Sequence, residues 1–270
     1  MINELSKKQQ KLIKGLRQSK NIRIKNRCFF VEGLKNVAES IGSDYDIRFI
    51  VASEGFLELN AGFINKLMGK IPSNRLFQVS DRVFKELAAT VTPQGILAVI
   101  NFKDIDIESI LREDFLIIAL DKIQDPGNMG TIIRTADAAG ADAIVIGKGC
   151  VDIYNPKVVR SAMGSLFHIP FVQTDDLIKT LITLREKGGK VVTTHLAAKK
   201  CYYDVDYQAS TVIVMGSEDE GVSEEIAHIS DELVRIPMPG KAESLNVAIA
   251  HGIMAFETVR QRTDTTSFRL

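Results

Sequence analysis

One run of residues constrains the fold of this chain more than any other. "FLIIALD" (115–121) is apolar through its first six residues, with no polar alternation. A strand covered on one face alternates apolar and polar residues, whereas an unbroken run marks a strand buried on both faces, the habit of parallel sheets. The pattern recurs in "DAIVIG" (142–147), "HIPFVQT" (168–174), "KVVTTHL" (190–196), "TVIVMG" (211–216) and "ELVRIP" (232–237). Segments of helical periodicity lie between most of these strands. Such alternation predicts an α/β fold, a parallel sheet with helices on both faces.

The residues before 115 carry a second, smaller α/β pattern. Asn3 to Gln18 is polar and helix-prone, and "CFFVEG" (28–33) reads as a short strand leading into the helical "LKNVAESI". Strands follow at 45–53, 75–80 and 95–101, with helices at 54–69 and near 81–89. "FKDIDIESILRED" (102–114) is acidic and poor in large apolar residues, as inter-domain linkers are. The expected organisation is a domain over 1–101, a linker over 102–114 and a larger domain over 115–270.

Composition narrows the function classes. A 270-residue chain that is 45% hydrophobic and 25% charged has material for an ordinary soluble core. Net charge is zero, yet residues 1–27 hold nine basic side chains (Lys7, Lys8, Lys11, Lys14, Arg17, Lys20, Arg23, Lys25, Arg27) against Glu4 alone. Such an end could meet a phosphate backbone, or it is simply a solvated helix face. No apolar run reaches bilayer length, and no apolar segment follows the basic start as in a secretory signal. Cys28, Cys150 and Cys201 are widely spaced, so neither a metal site nor a disulfide framework is expected. A reduced, cytoplasmic protein with no membrane partner fits these features.

Ligands of open α/β sheets bind beyond the carboxyl ends of the strands. Three loops there stand out. The first is "DKIQDPGNMGTIIRTADAAG" (121–140), where Pro126 and Gly127 make a turn, Asn128 can cap a helix and Arg134 follows one turn in. A helix start beside a guanidinium suits an anion. The dinucleotide fingerprint GxGxxG and the phosphate loop GxxxxGK[ST] are both missing. The second is "GSEDEGVSEE" (216–225), where Gly216 and Gly221 bracket three acids and Ser223 can cap the next helix. An acidic loop disfavours phosphate and suits a neutral or cationic ligand. The third is "IPMPGKAESLNVAIAHG" (236–252), stiffened by Pro237 and Pro239, with Ser244 as a possible N-cap. The helix beyond is apolar on more than one face, as in a core or a subunit interface, and predicts a dimer.

These three loops, in this order, resemble the three motifs of the SpoU/TrmH family of RNA ribose 2′-O-methyltransferases, of the SPOUT class. The match rests on Asn128, Gly130 and Arg134, on Gly216, Glu218 and Gly221, and on Pro237, Ser244, Leu245 and Asn246. "NPKVVRSAMGSLFHIP" (155–170) is similar to the family's central segment, and "FFVEG" (29–33) and "TPQGILAVI" (92–100) to its N-terminal substrate-binding domain. The resemblance implies a trefoil knot in the C-terminal domain, against the usual rule of unknotted chains. It further implies a homodimer, an RNA substrate from the ribosomal RNA branch, and S-adenosylmethionine as cofactor, with no metal. Backbone groups at Gly216, Ile236 and Leu245 would hold the cofactor, in a pocket shared with Thr193, Thr194, His195, Gly221, Met238 and Ser244. RNA contacts would come from Lys7, Lys11, Lys14, Arg17 and Arg23 of the basic end, together with Glu32 and Arg160.

The resemblance places Arg134 at the ribose oxygen, with Asn128 and Asn246 orienting it and Glu218 supporting the loops. A guanidinium holds its proton too tightly to be a general base. Arg134 is therefore expected to clamp a substrate phosphate and stabilise charge on the oxygen. Three competing readings are a transfer RNA 2′-O-methyltransferase, a non-catalytic RNA-binding protein of the same fold, and a nucleotide-cofactor oxidoreductase. The last suffers from the missing GxGxxG.

Overall fold

A computed structural model of the chain describes residues 3–217 and 219–263. They fall into two compact units, one of the residues up to 103 with 152–168, the other of 104–151 with those from 169 onward. No helix among the described residues is long and apolar enough to cross a membrane.

In the first unit the elements run β1 (Asn3–Glu4), α1 (Lys7–Gln18), α2 (Lys20–Asn26), β2 (Cys28–Glu32), α3 (Leu34–Gly42), β3 (Ile47–Ser53), α4 (Glu54–Leu59), α5 (Ala61–Met68), β4 (Leu76–Val79), α6 (Asp81–Leu87) and β5 (Ile96–Asn101). The sheet order is β1-β4-β3-β5-β2, with β5 antiparallel to both of its neighbours. The expected helix from Asn3 begins later, because Ser6 and Gln9 close a capping box there and Asn3–Glu4 pair with β4 instead. The expected single helix over 54–69 is two, broken at Asn60, whose side-chain amide donates to the Phe56 carbonyl (3.0 Å). Strand alternation then sorts the core. Cys28, Phe30, Phe49, Val51, Leu97 and Val99 pack with α1 and α6 on one face.

The second unit holds β6 (Leu116–Leu120), α7 (Pro126–Ala138) and β7 (Ala143–Ile146); the chain then passes through α8 (Pro156–Ala162), which belongs to the first unit, and returns with β8 (Phe171–Gln173), α9 (Leu177–Glu186), β9 (Lys190–Thr194), β10 (Lys200–Cys201), β11 (Thr211–Met215), α10 (Glu224–Ile229), β12 (Glu232–Arg235) and α11 (Val247–Arg262). The seven strands are all parallel, in the order β10-β12-β9-β11-β6-β7-β8. The apolar run 116–120 is β6, an interior strand between β11 and β7, and is wholly buried. Ile117, Ala119, Val212 and Val214 face Leu181 and Leu184 of α9 and Ile226 of α10. Helices α7 and α11 pack against each other, and α11 also lies on β11.

Residues 152–168, which include α8, pack within the first unit. The reason is the second face of its sheet. Phe29 points there, and Tyr154 stacks between Phe29 and Phe102 with centroids 4.4 and 4.3 Å apart. Asp152 takes the guanidinium of Arg23 (2.7 Å), a pair with side chains only 11% and 5% exposed.

A candidate cofactor and substrate site

The strand ends of the parallel sheet converge on one cavity. A space of about 920 Å³ opens beyond the carboxyl ends of β9, β11 and β12, where parallel sheets hold ligands. Thr194, His195, Gly216, Gly221, Ile236, Met238, Ser244 and Leu245 line it, as the motifs predict. Thr193 does not. It is fully buried and its hydroxyl bonds Ser230 (2.7 Å), because neighbouring strand residues point to opposite faces. The imidazole Nδ1 of His195 accepts from the Ala197 amide (3.2 Å).

The loop after β11 is shaped by its glycines. Ser217 and Gly221 exchange two backbone hydrogen bonds (2.9 and 3.0 Å), folding the loop back on itself. A Cβ at Gly216 would lie 2.1 Å from the carbonyl carbon of Gly221, so no other residue fits there. Gly221 itself has φ +70°, in the left-handed region. The same loop brings Asp219 and Glu220 to the cavity wall, which Glu243 of the 236–246 loop also lines. Glu218 lies outside the described residues.

Two caps differ from expectation. Helix α7 starts at Pro126, and Asp125 caps it by accepting the Asn128 amide (2.8 Å), so Asn128 is inside the helix. Arg134 consequently sits about two turns in rather than one, exposed on the helix surface. Helix α11 is capped by Asn246, not Ser244. The Asn246 side-chain oxygen accepts from Ala248 (3.0 Å) and Ile249 (3.4 Å). That leaves its amide nitrogen to donate to Asn128 Oδ1 (2.9 Å), a bond across 118 positions of sequence. The first and third motif loops are thus joined directly, which frees Ser244 to line the cavity. Ser223 holds the cap position of α10 but makes no side-chain cap bond.

Beneath the site, α11 divides into two faces. Val247, Ala248, His251, Met254, Ala255 and Thr258 are buried, while Ile249 and Phe256 are 56% and 48% exposed in the single chain. His251 is fully buried, and neither ring nitrogen has a hydrogen-bond partner among the described residues. Burial pushes its pKa down to about 4.

The basic end behaves differently from a free patch. Lys7 and Lys11 are exposed. Lys14 pairs with Glu86 (3.0 Å), and Arg17 donates to the carbonyls of Glu86 and Ala88. Arg23 is 4% exposed and bonded to Asp152, so its guanidinium serves the fold. Glu32 is likewise engaged within the unit, accepting from the Ala89 amide (2.7 Å) and the Thr90 hydroxyl. Arg160 is exposed on α8 and lines a small cleft with Glu32.

Sequence reasoning missed several wall residues, notably Leu196, Met215 and Glu243, although each lies in or beside a strand-end loop. Position after a strand was the available signal.

Comparison with known proteins agrees with this geometry. The model of the SpoU rRNA Methylase family matches residues 115–256, and that of the MRM3-like substrate binding domain matches residues 7–98. The chain is 33% identical to the 23S rRNA (guanosine(2553)-2'-O)-methyltransferase RlmP of Bacillus subtilis, over 88% of this chain and 91% of that protein. An AdoMet-bound rRNA methyltransferase from Sinorhizobium meliloti superposes with a TM-score of 0.84 at 33% identity, covering 97% and 98% of the two chains. The SpoU methyltransferase AviRb of Streptomyces viridochromogenes, in complex with AdoMet, gives 0.85 at 28% identity, covering 98% and 100%. With its strand-end cavity, its three loops and a family match over more than half its length, the chain belongs to the SpoU rRNA methylase family.

Proposed function

We propose that this chain transfers a methyl group from S-adenosylmethionine to a ribose 2′-hydroxyl of RNA, and that the RNA is ribosomal. The single observation that carries this is the convergence of the three motif loops, with Asn246 bonded to Asn128 on the helix of Arg134. The cavity suits the cofactor. Its wall combines apolar surface from Met215, Val234 and Leu245 with the carboxylates Asp219, Glu220 and Glu243, a donor set matched to a cationic, partly apolar ligand. When bound, S-adenosylmethionine supplies an electrophilic methyl group on its sulfonium.

The chain's own residues position and polarise. Gly216, Ile236 and Leu245 present backbone groups to the cofactor, and Thr194, His195, Gly221, Met238 and Ser244 complete the pocket. Arg134 binds a substrate phosphate and stabilises negative charge as the ribose oxygen loses its proton. Asn128 and Asn246 form a linked amide pair that fixes the mouth of the site beside that helix, and Glu218 supports the second loop. The proton leaves to a neighbouring phosphate or water.

Residues 1–101 act as the RNA-binding domain, 102–114 as the linker and 115–270 as the methyltransferase domain. Lys7, Lys11 and Arg160 are the exposed cations that would contact phosphates. A trefoil knot is supported by the placement of β12 between β9 and β10, which draws a late strand inside an earlier pair. A homodimer is supported by Ile249 and Phe256, one helical face of α11 left open in the single chain. The protein would work in the cytoplasm, where ribosomal RNA is assembled.

The experiment is transfer of tritiated methyl groups to RNA from cells lacking the protein, followed by mapping of 2′-O-methyl positions. A new mark in ribosomal RNA is expected. A mark confined to transfer RNA would move the substrate, and no transfer despite cofactor binding would favour a non-catalytic RNA-binding protein.

A further inference from the structure

The carboxylate of Asp121 is buried, 6% exposed, just outside the cavity, and no step described above uses it. It closes β6: its amide donates to the Met215 carbonyl (2.9 Å), continuing the β6–β11 pairing to the point where the second loop begins. By strand alternation its side chain shares the face of Ile117 and Ala119, which is the face packed by Val222 and Ile226. There, Asp121 Oδ2 accepts the Ser223 amide (3.1 Å). The next residue, Lys122, has φ +54°, an uncommon conformation for a non-glycine, and its ammonium lies 3.9 Å from Glu220. Both ends of the 216–223 loop are thereby tied to the tip of one strand. One tie is through the β11 backbone and the other is through Asp121. Nearby, burial pushes the Cys150 thiol up to about 11, and the negative charge of Asp121 adds to that rise.

We infer that Asp121 is a positioning residue for the cofactor cavity: its carboxylate anchors Ser223 and so sets the shape of the wall built from Gly216, Ser217, Asp219, Glu220 and Gly221. Its consequence for cofactor affinity rests on the reading of the cavity given above; the anchoring itself does not. A hydrogen bond to a buried carboxylate is among the stronger ones, and a well-formed loop lowers the ordering cost of binding.

The test uses the full chain with Asp121→Ala, Asp121→Asn and Ser223→Pro. The asparagine keeps an acceptor oxygen at the same reach. The proline removes the donor at a residue whose φ of −65° suits it. Amide exchange of residues 217–222 is measured without cofactor, and S-adenosylmethionine binding by calorimetry. Asp121→Ala should speed exchange in 217–222 by about tenfold or more while exchange in β6 and β9 stays slow, and should weaken S-adenosylmethionine by a similar factor. Asp121→Asn should restore both to within about threefold, and Ser223→Pro should match the alanine variant in affinity. Unchanged exchange in Asp121→Ala overturns the anchoring, and full cofactor affinity in Ser223→Pro overturns its consequence for the cavity. If Asp121→Ala fails to fold, asparagine and proline variants that both keep wild-type exchange and affinity overturn it equally. Failure of the wild-type chain to bind S-adenosylmethionine would defeat the functional reading, and exchange in 217–222 would still decide the role of Asp121.

Discussion

The two units treat their polar residues in opposite ways. In the parallel sheet every strand exits at the same edge, so the loops after β9, β11 and β12 meet by topology, and their polar residues are left over for a ligand. In the sheet of the first unit β5 alone runs against the other strands, so shared strand direction does not separate the two units; what separates them is the use made of the charges. There the charges mostly serve the fold. Arg23 holds Asp152, Arg17 caps carbonyls beside α6, Lys14 meets Glu86 and Glu32 ties the 89–90 backbone. Strand-end position therefore points to function more sharply than a count of charges does.

The largest effect should be Arg134→Ala. Methyl transfer is expected to fall by about a hundredfold or more, with S-adenosylmethionine affinity near wild type, in single-turnover assays beside calorimetry. Turnover within a few-fold of wild type would break the contrast, because the exposed arginine of the second unit would then be no more functional than Arg23. Conversely, Arg23→Ala should cost about 3 kcal/mol of stability by leaving Asp152 unpaired, measured by urea denaturation. A stable variant that loses RNA binding would instead make Arg23 a contact residue.

His251 tests the second unit's core. Its folded-state pKa, depressed to about 4 from the ordinary 6.5, means that the folded state favours the neutral ring. Its contribution is therefore full above pH 6.5 and is lost as pH falls toward 4, by roughly 3 kcal/mol in all. Denaturation midpoints between those pH values should drop for the wild type, and His251→Leu should flatten the curve. An equal slope in both would show that the ring titrates normally. The smallest effect belongs to the double variant Lys7→Ala, Lys11→Ala, which should lower the salt slope of RNA binding by about 2 while leaving cofactor affinity alone. An unchanged slope would remove the basic end from the RNA surface.

Much of this was readable before any coordinates. The unbroken apolar run at 116–120 required a strand covered on both faces, and it is a wholly buried interior strand of the parallel sheet. The second and third motif loops, together with the end of β9, located the cavity wall from Thr194 to Leu245, because loop placement follows from strand direction. Helix starts were less legible. Asp125 and Asn246 took the caps expected of Asn128 and Ser244, since several adjacent polar residues can each satisfy a helix end locally. Thr193 was misplaced by a single position, enough to turn its side chain to the other face.

What the sequence determined alone was the class of architecture and the neighbourhood of the site, since hydrophobic periodicity and glycine and proline placement act over a few residues. What only tertiary structure decided was which polar groups face each other. The Asn246–Asn128 bond, the Asp121–Ser223 bond and the Arg23–Asp152 pair span 118, 102 and 129 positions. Partners so far apart are chosen by chain topology and by the need to satisfy buried polar groups, and neither leaves a local mark.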